Sequence, residues 1–185
     1  MADSLVPVEQ VDAYARDGVV CVRRVLDADE LQQARRGIEA VLDRPSALAQ
    51  LASGTDDPGR FVEDFCRWRE IAEIEALARH SRAGQIAAEL MATGTVRLYH
   101  DHVLVKEGGT TQRTPWHQDQ PYYNVDGRGV SAWIPVDPVP EAGCLELVAT
   151  THRGPWLMPR TFLRGEARWF PEGALAELPD IEADR

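Results

Sequence analysis

Lysine is almost missing from this chain of 185 residues: Lys106 is the only one, and the remaining basic residues are arginines. We read that preference as GC-rich coding, with no functional weight. Basic charge as a whole is scarce. Thirty acidic residues face twenty basic ones, for a net charge of -10 and a pI near 4.9. A nucleic-acid surface or a face for anionic lipid needs a basic patch, so neither partner is expected. Cysteine is also sparse. Cys21, Cys66 and Cys144 are odd in number and widely spaced, which excludes a disulfide framework or a zinc knuckle and leaves buried free thiols as the expectation. No apolar run approaches the length of a membrane-spanning helix. Met1-Ala2-Asp3-Ser4-Leu5 lacks a basic region followed by an apolar run, so no secretory leader is expected. These absences together point to the cytoplasm. Repeats and low-complexity segments are missing as well.

What is present is ordinary globular material, 44% hydrophobic and 27% charged, enough for one domain with a real core. Val8 to Arg16 reads as a short helix stopped by Gly18, and Val19 to Val25 as a strand. Asp27-Ala28-Asp29-Glu30 is a capping-box signature. Leu31, Ala34, Ile38, Val41 and Leu42 follow at helical spacing, so this helix should run to about Asp43. Ser53 to Arg60 is a polar loop, and two more helices are expected over Ile71 to Arg79 and Gly84 to Met91. After Gly94 the texture changes. Thr95 to Lys106 is alternating and β-branched, and short strands and turns are expected up to about Val148. The expectation is a single α+β domain over 1–185, mainly helical over 1–93 and strand-rich over 94–185. Its natural architecture is a double-stranded β-helix, or jelly roll, with helices packed on one sheet. The strand count is low for a closed jelly roll, which suggests that C-terminal strands are missing.

The densest chemistry lies in Thr114-Pro115-Trp116-His117-Gln118-Asp119. In an extended strand, side chains alternate, so His117 and Asp119 share a face. One imidazole and one carboxylate make two-thirds of the 2-His-1-carboxylate set that holds non-haem Fe(II) with open coordination positions. Trp116 points the other way and is expected to pack and fix that strand. A rival constellation lies upstream: His100, His102 and Glu107 resemble half of a cupin metal motif. His152 is a further histidine, better read as a loop residue beside Arg153-Gly154 than as a third ligand.

The order of segments resembles the phytanoyl-CoA dioxygenase-like family of iron(II)/2-oxoglutarate dioxygenases. The match runs through Val103-Leu104-Val105-Lys106, then Pro115 to Tyr123, Ala132-Trp133-Ile134-Pro135-Val136-Asp137 and Ala142 to Val148. It ends in Thr150-Thr151-His152-Arg153-Gly154, similar to the family's Pro-Gly-Ser-His turn, and Asp17 to Val22 resembles its opening strand. The resemblance implies a jelly roll, with His117 and Asp119 as catalytic iron ligands and His102, Lys106 and Trp133 along the 2-oxoglutarate site. It implies Fe(II), 2-oxoglutarate and O2 as cofactor and cosubstrates, and hydroxylation of a C–H bond of a small molecule with release of succinate and CO2. Tyr122 or Tyr123 would line the substrate mouth. The family's distal histidine and its arginine clamp for 2-oxoglutarate come later than Gly154, and no such pair precedes Arg185, so the chain reads as C-terminally truncated. Two other readings stand beside this one: a non-catalytic ligand-binding jelly roll, and a cupin-type metalloenzyme using His100, His102 and Glu107. Substrate and oligomeric state are not readable.

Overall fold

The computed structural model describes residues 4–123 and 125–183. Local signals fix the helices. Asp27 accepts from the Glu30 backbone N–H while Glu30 accepts from that of Asp27, each at 2.9 Å, closing the capping box that starts helix α2, Ala28–Asp43. Helix α1, Val8–Asp17, ends on Gly18 in the left-handed region at φ 81°. A side chain there would be strained, and a Cβ would also lie 2.3 Å from His152 Nδ1. Helices α3, Ala72–His80, and α4, Ala83–Leu90, follow. One sheet is present among the described residues, in the order β1 (Gln50–Leu51), β2 (Phe61–Phe65), β3 (His102–Lys106).

The chain divides into two units. The first takes in Met1–Gln50, Val62–Val105 and Ala132–Arg153, and the second Leu51–Phe61, Lys106–Ser131 and Gly154–Arg185. The first unit carries the apolar core. Val41 of α2, Ile71, Ile74 of α3 and Val103 of β3 are buried together, with Ile38, Trp68 and Val105 against them. Gly37 lets α2 approach α3 closely, because a Cβ there would sit 2.7 Å from the Ile74 Cδ1. Beside this core lies a buried ion pair, Arg67 with Asp64, at 4% and 1% side-chain exposure. Asp64 also accepts from the Ser46 hydroxyl and from the backbone N–H groups of Ser46 and Phe65, and Arg67 donates to the Arg44 carbonyl at 2.7 Å. Burial pushes the Asp64 carboxyl up, but these hydrogen bonds and the guanidinium prevail and hold it below the usual range.

The second unit is tied mostly by polar contacts. Asp57 accepts from the Thr110 hydroxyl and from the N–H groups of Thr111 and Gln112. Arg60 clamps Glu107, with its Nε 2.9 Å from Glu107 Oε1. Arg160 pairs with both Glu172 and Glu177, each at 2.6 Å.

The α+β class and all four helices agree with the sequence. In place of the long strand over 95–106, only His102–Lys106 is paired. Residues 19–25 and 125–148 form no strand among the described residues, so the jelly-roll sheets expected over 94–185 are not present among them. Alternating apolar residues express a preference for one buried face; a strand also needs a neighbour to take its N–H and C=O groups. The cysteines are free, as expected, but exposed rather than buried. Cys21 and Cys144 lie in those unpaired segments, where no sheet face exists to cover them. Among the described residues, no helix is long and apolar enough to cross a membrane.

Candidate metal centre

The site is built by a turn rather than by a strand. Thr114 to Gln118 run without a ladder partner. Asp119 then adopts helical angles, φ -67° and ψ -44°, and leads into the 3-10 turn Gln120–Tyr122, with Pro121 buried. Asp119 Oδ1 comes to 3.2 Å from His117 Nε2. The two residues expected to converge do so, although the strand expected to align them is absent.

Hydrogen bonds define what these two groups present. His117 Nδ1 lies 2.8 Å from the Pro115 carbonyl oxygen, which can only accept. Nδ1 therefore carries the proton in this contact, and the lone pair of a neutral ring sits on Nε2, facing Asp119. A lone pair and a carboxylate oxygen at this distance repel unless a proton or a cation lies with them. Two donors bound at right angles about 2.1 Å from one metal ion would be about 3 Å apart, so the spacing suits a shared cation. The outer carboxylate oxygen, Asp119 Oδ2, accepts from the Ser131 hydroxyl at 2.6 Å.

The segment is held on its other sides by residues 155–183. Phe162 packs on the His117 ring with centroids 4.8 Å apart, and Tyr122 meets that ring edge-on at 5.8 Å. The Tyr122 hydroxyl donates to the Arg160 carbonyl at 2.7 Å and accepts from the Arg160 N–H at 3.0 Å. Burial pushes the phenol pKa up. The Gln118 side chain accepts from Leu157 N–H at 2.8 Å and donates to the Pro155 carbonyl at 3.2 Å. The Trp116 indole N–H donates to Glu182 at 2.8 Å; the strand it was expected to pack against and fix is absent. Ser131 and Phe162 carried no signal in the sequence. Their partners are remote, and neither residue type is distinctive alone.

Lys106 belongs to the same unit. Its ammonium donates to the Gln112 carbonyl and the Thr114 hydroxyl, at 3.2 and 3.3 Å, and lies 4.5 Å above the Phe61 ring. His102 and Trp133 belong to the first unit. His102 stacks on Phe65 at 4.0 Å, with Nε2 3.6 Å from the buried Glu63 carboxylate. Trp133 is 47% exposed. Of the cupin trio, Glu107 spends its carboxylate on Arg60. Among the described residues, no group of three or more His, Cys, Asp or Glu side chains is placed to hold a metal. His152 serves the end of α1. Its Nε2 lies 3.3 Å from the Ala15 carbonyl, and Arg153 donates to the same oxygen at 2.7 Å. The positive charge of Arg153 at a helix C-terminus offsets the partial negative charge there.

Comparison with known proteins adds one finding. The family model of phytanoyl-CoA dioxygenase (PhyH) matches residues 14–168. Members of that family are generally Fe(II)/2-oxoglutarate-dependent dioxygenases. No curated protein and no solved structure matches the chain.

Proposed function

We propose, from the premise that this chain belongs to the phytanoyl-CoA dioxygenase family, that it hydroxylates a C–H bond of a small molecule. Fe(II), 2-oxoglutarate and O2 are its cofactor and cosubstrates, and succinate and CO2 leave with the product. The observation that carries this reading is the convergence of His117 Nε2 and Asp119 Oδ1 at 3.2 Å. A borderline nitrogen donor beside a hard oxygen donor suits Fe(II). Bound there, the metal would supply the oxygen chemistry that no side chain can perform.

The chain's own residues do the positioning. The Pro115 carbonyl fixes the His117 tautomer, and the Phe162 and Tyr122 rings hold its plane. Lys106, His102 and Trp133 are the proposed cosubstrate residues. Support for Lys106 is its bond to Thr114, three positions before His117. An ammonium can donate to a carboxylate of 2-oxoglutarate. His102 and Trp133 are supported by their place in the family's order of segments. The acidic composition fits a small-molecule substrate better than a polyanion, and a reducing cytoplasm suits the three free thiols.

The test is an anaerobic titration with Fe(II) and 2-oxoglutarate, followed by visible absorbance. A charge-transfer band is expected in the wild-type protein and is expected to be lost in His117→Ala and Asp119→Ala. A band that survives both substitutions would sink the assignment.

A further inference from the structure

We propose that Ser131 is a positioning residue that makes Asp119 a one-oxygen ligand, turning Oδ1 toward His117 and holding Oδ2 away. This deepens the metal-pair reading and rests on it. The Ser131 hydroxyl lies 2.6 Å from Asp119 Oδ2, a separation typical of a hydroxyl donating to an ionised carboxylate. Serine has one hydroxyl proton, so this bond commits it. The other oxygen, Oδ1, is the one that faces His117 Nε2 at 3.2 Å.

Without such a donor, an aspartate carboxylate turns broadly about its last torsion and presents either oxygen or both. Both oxygens on one ion would occupy two coordination positions, where this chemistry needs positions left open for cosubstrate and oxygen. The two contacts on Asp119 therefore divide the work. Ser131 occupies the outer oxygen, and the inner oxygen is aimed at the imidazole. His117 is fixed by the same logic through Nδ1 and the Pro115 carbonyl, so each member of the pair has one atom held and one atom offered. Outer-shell partners of this kind carry much of a metal site's affinity. Another contact helps bring the chain back to Asp119: the Gln120 side-chain amide donates to the Val125 carbonyl at 2.8 Å. Nothing in the sequence marks Ser131, which lies twelve positions beyond Asp119.

The test uses Mn(II) alone as probe, with paramagnetic broadening of amide signals in the full chain. Wild type, Ser131→Ala, Ser131→Thr and Asp119→Ala are compared. Ser131 is a small side chain outside the apolar core, so Ala leaves no cavity there; an unchanged spectrum away from 117–131 checks the fold. Wild type should show broadening centred on 117–119. Ser131→Ala should bind about 10- to 100-fold more weakly, while Thr, which keeps the hydroxyl, should stay close to wild type. If Ser131→Ala binds like wild type while Asp119→Ala does not bind, the positioning role is overturned and the metal pair stands. If Thr loses as much as Ala, the hydroxyl is not the cause and the role is overturned. Absence of local broadening in wild type, or broadening that persists in Asp119→Ala, overturns the metal pair and this inference with it.

Discussion

The two units of this chain are held together by different physics. The first has a shared apolar core of Val41, Ile71, Ile74 and Val103, beside a buried ion pair. The second has single buried residues, such as Phe61 and Met158, and otherwise depends on Asp57, Arg60–Glu107, Gln118, Tyr122 and Arg160. Apolar burial is non-directional and tolerant of small shifts. Hydrogen bonds and ion pairs are directional and weak when wet, but they set angles. The proposed metal pair lies in the second kind of structure. A ligand pair needs orientation more than bulk stability, and the contacts around His117 and Asp119 supply orientation.

The largest expected effect breaks the first unit at its buried ion pair, Arg67 with Asp64. Arg67→Met removes a 4%-exposed guanidinium and leaves Asp64, 1% exposed, without its cation. Stranding a buried charge costs about 3–5 kcal/mol, which a urea melt of the variant would show as a lower midpoint. The double variant Arg67→Met/Asp64→Leu should recover much of the loss, because a buried pair and an apolar pair differ little in net stability. If the single substitution proves neutral, the core alone holds this unit, and the contrast between the units is sharper still.

A smaller loss is expected from Gly37→Ala. The new methyl would meet Ile74 Cδ1 at 2.7 Å, and overpacking of this kind costs about 1–3 kcal/mol. Ile74→Val in the same molecule should relieve part of it. Thermal melts of the two single variants and the double variant check this, and additive losses would mean that the helices do not touch at this point.

The fold was unevenly legible in the sequence. The capping box at Asp27 and the stop at Gly18 act through neighbours in sequence, so the sequence displays them. Helical spacing likewise gave α2, α3 and α4 to within two residues at most ends. A strand over 19–25 was expected from apolar continuity, a long one over 95–106 from alternation, and short ones from there up to about Val148, but pairing depends on a remote partner and no local pattern names one. The site divides the same way. His117 and Asp119 are two positions apart and could be matched to a ligand pattern. Ser131 and Phe162 reach them through contacts that no local pattern encodes. The approach of His117 to Asp119 itself comes about by another route than expected, since a turn at Asp119 does what a strand was expected to do.

A change of about 1 kcal/mol is expected from Tyr122→Phe in the second unit. The hydroxyl makes two bonds to the Arg160 backbone, and a typical hydrogen bond contributes about this much net. The ring contacts with His117 and Phe162 would remain. Amide exchange should therefore quicken at Arg160 while the His117 ring signals hold their positions. Displaced His117 signals would mean that the hydroxyl, rather than the ring, orients the imidazole.

The smallest effect separates the two units by pH. In the second, hydrogen bonds from Arg60 and Arg160 are the leading causes that hold Glu107 and Glu177 below the ordinary carboxylate range. For Asp57 partial burial opposes the shift, and bonds from Thr110, Thr111 and Gln112 outweigh it. A carboxyl whose pKa is lower folded than unfolded adds stability above its unfolded value, about 4, and loses it as pH falls through the lower folded value. These ties should loosen as the solution is taken below about pH 4. They are exposed, so each contributes little and salt should weaken them further. The first unit also holds depressed carboxyls, Asp64 and Glu89, the latter down to about 2 through bonds from Gln85 and the Leu5 N–H. Its apolar core, however, does not titrate. Amide exchange followed downward in pH should lose protection at 107–112 and 160–177 before 38–43 and 71–77, and earlier in high salt. Simultaneous loss would mean that one cooperative structure spans both units and that the division by kind of contact has no energetic counterpart.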